Sequence, residues 1–331
     1  MNILFKNIKQ RAEIISSIRK FFLNLNVLEV ETPSISNYRT TEVHLSSFKT
    51  HLVSEIEKKS HCKKKKKMWL ITSPEYHMKR MISEGSGAIY QICHSFRNGE
   101  IGNYHNPEFT ILEWYRPKYN MFDLIEEVIF FLKKILHCKF VETISYRNIY
   151  LNVVGIDPLL VSKKDLIEKS KNLGIQDDVI FSNINLENKT EINNNHLLEL
   201  IFSLAIEPVL GLKNPIIVYH YPASQSQNST INSDDSRLAN RFEVFFKGLE
   251  LGNGCEELTD FDRQKEIFEN HNLSRKKIGL SVYSIDKFFV NSLKKTNFLY
   301  SGIAIGVDRL VMILTNSKNI NNVLTFPIKN S

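Results

Sequence analysis

The sequence predicts an α+β fold in which a mostly antiparallel sheet is flanked by helices. Residues 89–115 and 241–260 each alternate like a pair of strands, and residues 8–25 and 121–136 carry apolar side chains at helical spacing. The hydrophobic fraction of 42% is enough for a sizeable core. These observations favour mixed helices and antiparallel strands packed around one core.

The N-terminal elements follow from periodicity and from residues that start or stop them. After the helix at 8–25, VLEVETP at 27–33 has the pattern of a strand that proline stops. SPE at 73–75 is typical of a helix start, because proline suits the first helical position and an acid suits the first turn.

Residues 89–115 predict a β-hairpin. IYQIC and FTILEWY have the composition of strands, and the linker between them carries the turn dipeptides Asn98-Gly99, Gly102-Asn103 and Asn106-Pro107. Such a hairpin can present Arg97 to an anion in a fixed fork and Phe109 as a flat stacking surface. These are groups that could hold a nucleotide.

The C-terminal part is predicted in the same way. The expected elements are a helix at 121–136, a strand at 216–222, a Ser/Asn/Gln-rich loop at 223–236, the strand pair at 241–260 with its turn at Lys247-Gly248, and a strand that runs into a helix at 301–314. The segment at about 150–215 has a helical pattern and no visible chemistry. We therefore expect one domain, residues 1–331, with a helical insertion at about 150–215.

Three carboxylates recur every seven residues along the predicted strand pair: Glu243, Glu250 and Glu257. An odd spacing alternates between the faces of a strand, but a turn or bulge at Lys247-Gly248 together with a kink at 252–254 can return all three to one side. Buried acids are costly unless a cation neutralises them, and Mg²⁺ with phosphate ligands or a substrate amine would do so. The alternative is that these acids lie exposed on an edge strand.

Two arginines are predicted near the ends of strands, Arg97 on the hairpin and Arg309 at the strand–helix joint. Either alone could form a structural ion pair. Together with Gly302 and Gly306 they have the character of a clamp on a polyphosphate. The sequence contains no Walker A loop, no GxGxxG fingerprint and no GxSxG elbow, so those classes of nucleotide-binding and hydrolase site are excluded.

The formal net charge is +7, and one contributor is the run Lys63 to Lys67. This run is either a solvated loop or a basic patch that steers an acidic macromolecule. The four cysteines have no zinc-like spacing and are expected to be reduced thiols. No signal-peptide pattern and no membrane-length apolar run occurs, so we expect a cytoplasmic protein.

Several segments resemble the signature motifs of class II aminoacyl-tRNA synthetases, and specifically of their lysine branch. VLEVETP resembles motif 1, which usually builds a homodimer interface, SFRNGE…HNPEFTILEWY resembles motif 2, and SGIAIGVDRL resembles motif 3. ELGNGCEELTD is similar to the lysine-binding strand. Motif 1 begins within the first 35 residues, so we expect no anticodon-binding OB-fold domain.

TSPEYHMKR, EWYRP and YHYPASQ resemble a shorter branch, the elongation factor P–(R)-β-lysine ligase family, and Ala304 fits that branch where synthetases tend to have glycine. The resemblance implies an ATP- and Mg²⁺-dependent enzyme, a homodimer, that joins (R)-β-lysine through its adenylate to a lysine ε-amino group of elongation factor P, without tRNA. Two other readings stay open. One is a truncated lysyl-tRNA synthetase that makes lysyl-adenylate or charges tRNA, and the other is an inactive regulatory paralogue.

The resemblance also implies site residues. Substrate binding falls on Ser73, Pro74, Glu75, Tyr115, Asn253, Glu257 and Ala304. ATP binding falls on Arg97, Asn98, Gly99, His105, Asn106, Phe109, Glu250, Leu251, Gly306 and Arg309, metal binding on Glu243 and Glu250, and catalysis on Arg97 and Arg309. Glu75 would receive the amino group nearest the reacting carboxylate, and Tyr115 with Glu257 would hold the distal ammonium group.

In the same way, Arg97 would bind the substrate carboxylate and the α-phosphate, Phe109 would stack on adenine, and Arg309 would bind the γ-phosphate. The sequence departs from the family pattern at two positions. Gly99 stands where a glutamate usually reads the adenine amino group, with Glu100 next to it, and Cys255 stands where phenylalanine usually walls the side-chain pocket. Loss of that apolar wall would weaken discrimination by about 1–3 kcal/mol.

Overall fold

The structure is a computed structural model that describes residues 3–53, 65–180 and 193–331, with side chains from residue 5 onward. It divides into two compact units, one formed by residues up to 118 and from 258 onward, the other by residues 119–257. No helix in the described ranges combines the length and the apolar character that crossing a membrane requires.

The described α-helices are α1 (Ile3–Asn24), α2 (Glu75–Ser83), α3 (Met121–Leu136), α4 (Tyr146–Val153), α5 (Lys163–Asn172), α6 (Asp177–Ile180), α7 (Asn194–Ile201), α8 (Phe261–Lys277), α9 (Lys287–Leu293) and α10 (Val307–Leu314). The strands are β1 (Leu28–Glu29), β2 (Ile35–Ser36), β3 (Lys49–Val53), β4 (Lys65–Leu70), β5 (Ile89–Phe96), β6 (Glu108–Pro117), β7 (Glu142–Ser145), β8 (Ile216–Tyr219), β9 (Arg241–Phe246), β10 (Leu249–Glu256) and β11 (Tyr300–Gly306). A π-helical turn (Phe202–Ile206) and short 3-10 turns complete the list.

The first unit contains strands in the order β1-β5-β6-β11. β1 runs parallel to β5, and the other neighbours are antiparallel. One face of these strands is apolar: Tyr90 and Trp114 are cross-strand neighbours, and Phe22 of α1 stacks on the Tyr90 ring at 4.3 Å and meets the Trp114 ring edge-on at 5.2 Å. This face forms the core beneath α1.

The opposite face of the same strands is polar at its centre. Because side chains alternate along a strand, Gln91, Glu113 and Ala304, which are cross-strand neighbours, all point to it. β11 places Gly302, Ala304 and Gly306 at alternate positions on this face, so the sheet there carries almost no side-chain bulk. At one end the face is covered by α2, whose Met78 and Ile82 join the cluster around Tyr115.

An ion pair fastens three elements of this unit. Asp308, at the start of α10, accepts a hydrogen bond of 2.5 Å from Nη1 of Arg11 on α1 and one of 2.7 Å from the backbone N–H of Thr110 on β6. Nη2 of Arg11 also donates to Oγ1 of Thr110 at 2.7 Å. Asp308 is buried and Arg11 is mostly buried, and their contacts hold the strand–helix joint that carries Arg309 in a defined position.

A second, small sheet in this unit has the strand order β2-β4-β3. Lys65, Lys66 and Lys67 lie on β4 and are exposed. Lys63 and Lys64 fall outside the described residues. The part of the lysine run that is described is therefore a strand and not a loop.

The second unit contains strands in the order β10-β9-β8-β7, of which only the β7–β8 pair is parallel among these neighbours. Its core includes Tyr146, Tyr150, Phe202 and Tyr221. Asn120 and Asp123 form a capping box at the start of α3. Helices α4 to α7 occupy the described part of the segment at about 150–215.

The strand pairs and long helices predicted from the sequence are confirmed, and so is the mostly antiparallel α+β class. The strands expected at 27–33 and 216–222 are shorter in the structure than predicted, because only Leu28–Glu29 of β1 and Ile216–Tyr219 of β8 pair with neighbouring strands. β9 and β10 turn at Lys247-Gly248, and their register shifts between Glu250 and Gly252. This irregularity is the bulge that the spacing of the carboxylates required.

Candidate active site

A buried carboxylate, that of Glu113 on β6, lies at the centre of the polar face of the first unit. Glu113 is only 2% exposed. Ser73 Oγ donates a hydrogen bond of 2.8 Å to Oε2, and the Tyr115 hydroxyl donates one of 2.5 Å to Oε1. Burial and, next, the nearby Glu75 carboxylate raise the pKa of Glu113 to about 7, against the lowering effect of both hydroxyls. The group is poised to bind a cation.

A second carboxylate, that of Glu75, lies beside it at the start of α2. Ser73 connects the two, because its Oγ accepts a hydrogen bond of 3.0 Å from the Glu75 backbone N–H while it donates to Glu113. Pro74 occupies the N-cap position of α2. Nζ of Lys79, one turn along the helix, lies 2.6 Å from Oε1 of Glu75. Ser73, Pro74, Glu75 and Tyr115 are therefore brought together as predicted.

Arg97 and Phe109 also meet. The Arg97 guanidinium carbon lies 5.0 Å from the centre of the Phe109 ring, a cation–π distance, and the Arg97 backbone N–H donates to the Pro107 carbonyl at 2.8 Å. Oε1 of Glu100 lies 3.8 Å from Nη1 of Arg97. The structure thus places Glu100, the neighbour of the unusual Gly99, against the arginine.

The hairpin linker meets the strand–helix joint through Arg309. Nη2 of Arg309 lies 2.9 Å from Nε2 of His105, so the arginine donates and the imidazole accepts. A side chain at Gly306 would contact the Arg309 Cδ at 3.5 Å. Asn106 is buried, and its amide donates to the Glu108 carbonyl at 2.6 Å and accepts from the Ile328 N–H at 3.2 Å. Asn106 therefore holds the shape of the linker, in which Asn98 and Gly99 form a turn soon after β5.

In the second unit, the register of β9 and β10 places Glu243, Glu250 and Asn253 on one face. Glu243 is held by Arg241, which forms a short ion pair with its Oε1, and by the Tyr221 hydroxyl, which donates to Oε2 at 2.6 Å. Burial first, and then the Glu250 charge, raise the pKa of Glu243, while Arg241 lowers it. The alternative of exposed acids on an edge strand is wrong: Glu243 and Glu250 are half-buried, and Glu257 is buried.

The other predicted residues of this unit have different surroundings. The Leu251 side chain is buried in the core at the bulge, so only its backbone could meet a ligand. Asn253 accepts a hydrogen bond of 3.3 Å from Nε of Arg241. Cys255 is the register partner of Arg241 and is partly exposed.

The pair Glu243 and Glu250 suits Mg²⁺, which takes carboxylate oxygens together with phosphate and water ligands. Within the ranges that the structure describes, no three His, Cys, Asp or Glu side chains are grouped so that they could hold a metal ion by themselves. Phosphate oxygens and water would therefore supply most of the coordination.

Sequence reasoning missed Glu113, Lys79 and Arg241. Each had a local signal: Glu113 stands two residues before Tyr115 on the same strand face, Lys79 stands four residues after Glu75 on a helix, and Arg241 stands two residues before Glu243. Spacing shows that such pairs can meet, but it does not show that they are buried.

The fold and these groups define a class of protein. The family model of the class II tRNA synthetases (D, K and N) matches residues 2–330. Proteins named elongation factor P–(R)-β-lysine ligase are similar over nearly the whole chain. The one from Pasteurella multocida is 45% identical over 98% of this chain and 96% of its own length.

Two further proteins of that name give the same result. The one from Buchnera aphidicola subsp. Acyrthosiphon pisum is 46% identical over 96% of this chain and 94% of its own length. The one from Avibacterium paragallinarum is 46% identical over 97% of this chain and 95% of its own length. The chain belongs to the elongation factor P–(R)-β-lysine ligase family of class II synthetase-like proteins. The resemblance in its motifs is confirmed.

Proposed function

We propose that this chain is an ATP-dependent, AMP-forming ligase that activates (R)-β-lysine as an adenylate and transfers it to the ε-amino group of one lysine of elongation factor P. The relatives named for this activity cover nearly the full chain. The observation that carries the amino acid specificity is the pair of carboxylates Glu75 and Glu113 on one polar face. A substrate with two ammonium groups offers one cation to each.

ATP would bind to the same face of the first unit. Phe109 and Glu113 lie four residues apart on one face of β6, about 13 Å along the strand, which gives separate places for adenine and for the amino acid. Phe109 would stack on adenine, Arg97 beside it would bind the α-phosphate, and Arg309 would bind the γ-phosphate. Gly306 and the His105–Asn106 linker would border the nucleotide.

The β-amino acid would bind by its two cations. Glu75 would receive the amino group nearest the reacting carboxylate, and Glu113 with Tyr115 would receive the distal ammonium group. A bound ammonium group lowers the pKa of a neighbouring carboxyl, so binding would drive the proton from Glu113. Ala304, the cross-strand neighbour of Glu113, would leave room above the sheet.

For the second unit, family resemblance supports the assignments. Asn253 and Glu257 would bind the amino acid, and Glu250 and the Leu251 backbone would bind ATP. Glu243 and Glu250 would hold Mg²⁺, which neutralises phosphate charge when bound. Arg241 holds the Glu243 carboxylate in place.

The reaction has two steps. The substrate carboxylate attacks the α-phosphorus, which forms the adenylate as pyrophosphate leaves. The neutral ε-amine of the acceptor lysine then attacks the acyl carbon, an amide bond forms, AMP leaves and the amine loses a proton. No covalent enzyme nucleophile is required, because positioned arginines and bound cations stabilise the charge that develops.

ATP–pyrophosphate exchange tests the first step, with (R)-β-lysine and α-lysine compared at equal concentration. Mass spectrometry of elongation factor P incubated with the enzyme, ATP and β-lysine tests the second. We expect exchange to favour (R)-β-lysine and one lysine of the factor to gain one β-lysyl group. Preference for α-lysine, or charging of lysine tRNA in place of the factor, would contradict the proposal.

We also propose a homodimer formed through the motif 1 region. Leu23 of α1 is 72% exposed and Leu28 of β1 is 57% exposed, although both are large apolar residues. A dimer interface in this region would cover them. Light scattering on the wild type and on Leu28→Glu tests this: we expect a dimer and a monomer respectively, and a wild-type monomer would contradict it.

A further inference from the structure

Lys79 is a buried cation that the proposed reaction does not use. The residue is 2% exposed, on the inner side of α2 with Met78 and Ile82, and its Nζ lies 2.6 Å from Oε1 of Glu75. The ring of Phe289, from α9, lies 5.9 Å from the same Nζ. Lysine is rarely buried to this extent unless it is paired, so its placement beside a substrate-binding carboxylate requires a reason.

The two carboxylates of the site create an electrostatic problem. The Glu75 charge disfavours the ionised form of Glu113, which is shielded from water, while the Glu75 side chain is 23% exposed. Such a pair can lower its charge in two ways. It can take up a proton, which occupies a carboxylate oxygen and removes an acceptor, or it can be compensated by a fixed cation that leaves the remaining oxygens available to ammonium groups.

Several of the described groups that face this pair are uncharged. From β5, Gln91 is neutral, and burial followed by the Glu113 charge raises the pKa of Cys93 to about 12. On α2, burial raises the pKa of Tyr76 well above its usual value. From β11, Ala304 faces Glu113, and from α9, Phe289 faces α2.

On β6, the Tyr115 hydroxyl donates to Glu113 and so lowers its pKa, as Ser73 does. The Lys79 ammonium lowers the pKa of Glu113 and pairs directly with Glu75.

We propose that Lys79 is a positioning residue: its buried ammonium compensates the Glu75 and Glu113 charges so that both carboxylates are ionised together and the site selects an amino acid with two ammonium groups. The inference rests on the proposed function, since the dication is the substrate given there. With Lys79, ionisation of both carboxyls leaves the group of three with a net charge of −1 and two ionised acceptors. Without it, the same net charge is reached by a proton that blocks Glu113.

Lys79→Met tests this, because methionine keeps the length and the apolar stem of the side chain. In ATP–pyrophosphate exchange at pH 7 we expect at least a tenfold rise in KM for (R)-β-lysine and no comparable change in KM for ATP. The acid limb of kcat/KM against pH should move upward by about 1 pH unit or more, since an opposite charge within a few ångströms lowers a carboxyl pKa by 1–3 units. Activity should therefore recover at alkaline pH.

Two comparisons separate this role from a structural one. Lys20→Met removes an exposed lysine of the same unit and should leave both constants and the pH profile unchanged. In a Glu113→Gln background, which has no titrating group at that position, Lys79→Met should no longer move the acid limb. A loss of kcat/KM by the same factor at every pH, or an unchanged profile in Lys79→Met, would overturn the inference.

A failed proposed function can be told apart from a failed inference. Absence of β-lysine-dependent exchange in the wild type would contradict the function. The role of Lys79 can then still be tested by measuring Tm against pH. In Lys79→Met, the decrease in Tm that depends on Glu113 should occur at higher pH than in the wild type. An unmoved Tm profile would overturn the inference whatever the substrate is.

Discussion

At the scale of single residues, the site keeps charged groups where water cannot reach them. Glu113 accepts two hydrogen bonds from hydroxyls and still has a raised pKa, because burial and the Glu75 charge outweigh both bonds. A group in that state favours a bound cation over an empty site. Ligand recognition is therefore built at the expense of the stability of the unbound protein.

Glu113→Gln tests this cost. A pKa raised to about 7 means that the folded protein binds more protons than the unfolded chain between about pH 4.5 and 7, so the free energy of unfolding falls as pH rises through that range. The free energy of unfolding decreases by at most about 3 kcal/mol by pH 8 for this reason. We expect Glu113→Gln to lack this loss and to be more stable than the wild type at pH 8, measured by Tm across pH 5–8.

The control for that experiment is Glu126→Gln, which removes an exposed carboxylate from α3. It should follow the wild-type profile. If Glu113→Gln and Glu126→Gln gave the same pH dependence, the buried carboxyl would not titrate as described.

Arg309 offers a second test at this scale. Its guanidinium is placed by His105 and by the Arg11–Asp308 ion pair next to it in the chain. Loss of a charge-stabilising donor typically lowers kcat by about 10²–10³-fold. We expect Arg309→Ala to lower ATP–pyrophosphate exchange by at least 10²-fold with an unchanged Tm, while Lys318→Ala, an exposed cation of the same unit, should exchange normally. Exchange at near wild-type rates in Arg309→Ala would remove it from the nucleotide site.

At the scale of elements, the β9–β10 hairpin shows how an irregularity serves the site. The turn at Lys247-Gly248 pairs Glu250 with Phe245, on the face of Glu243, and the register shift after Glu250 brings Asn253 to the same face, which a regular strand would not do. The hairpin tip is fastened by the backbone of the preceding segment: the Lys247 N–H donates to the Gly211 carbonyl and the Gly248 N–H to the Leu210 carbonyl, each at 2.9 Å. The position of both carboxylates depends on this contact.

Gly211→Ala should weaken the contact between the β9–β10 hairpin tip and residues 210–211. Gly211 has a φ of +64°, and an added Cβ would lie 2.7 Å from the Phe245 carbonyl oxygen, which is backbone and cannot rotate away. We expect urea unfolding to show a free energy of unfolding lower by about 2–4 kcal/mol. About 1–2 kcal/mol of this decrease comes from placing a Cβ in the left-handed conformation. Gly155→Ala has a similar φ of +77° with open space around it, so it should show only the smaller part. Equal losses in both variants would show that Gly211 is not a close contact.

At the scale of the whole molecule, charge governs how a protein substrate arrives. The chain has a net charge of +7, and three exposed lysines stand next to one another on β4. β3 pairs with this strand and adds Lys49, on the same face as Lys65 and Lys67. A positive field of this kind raises association rates with acidic partners and is screened by salt.

Replacement of Lys65, Lys66 and Lys67 by glutamine separates steering from chemistry. We expect unchanged ATP–pyrophosphate exchange, and a kcat/KM for elongation factor P that falls by up to about tenfold at low ionic strength and converges with the wild type at high salt. Equal kcat/KM at every salt concentration would show that the run is only a solvated surface.

Much of this could be predicted because the signals are local. The apolar spacing of α1 and α3, the alternation along β5 and β6 and the turn at Lys247-Gly248 each depend on a few neighbouring residues. The burial of Glu113 could not be predicted, because alternation gives its face of the sheet but not what covers that face. Asn106 was assigned to ATP by its motif, and only the contacts with Glu108 and Ile328 showed that its amide is occupied within the protein.

The sequence by itself determined the type and order of most elements, the family, and the side chains available for binding a nucleotide and an amino acid, since these depend on residue identity and short-range spacing. Only the tertiary structure decided which charges share a low-dielectric environment. Ser73, Lys79 and Glu113 come from separate elements, and their protonation states depend on burial and on distances that no spacing in the chain records.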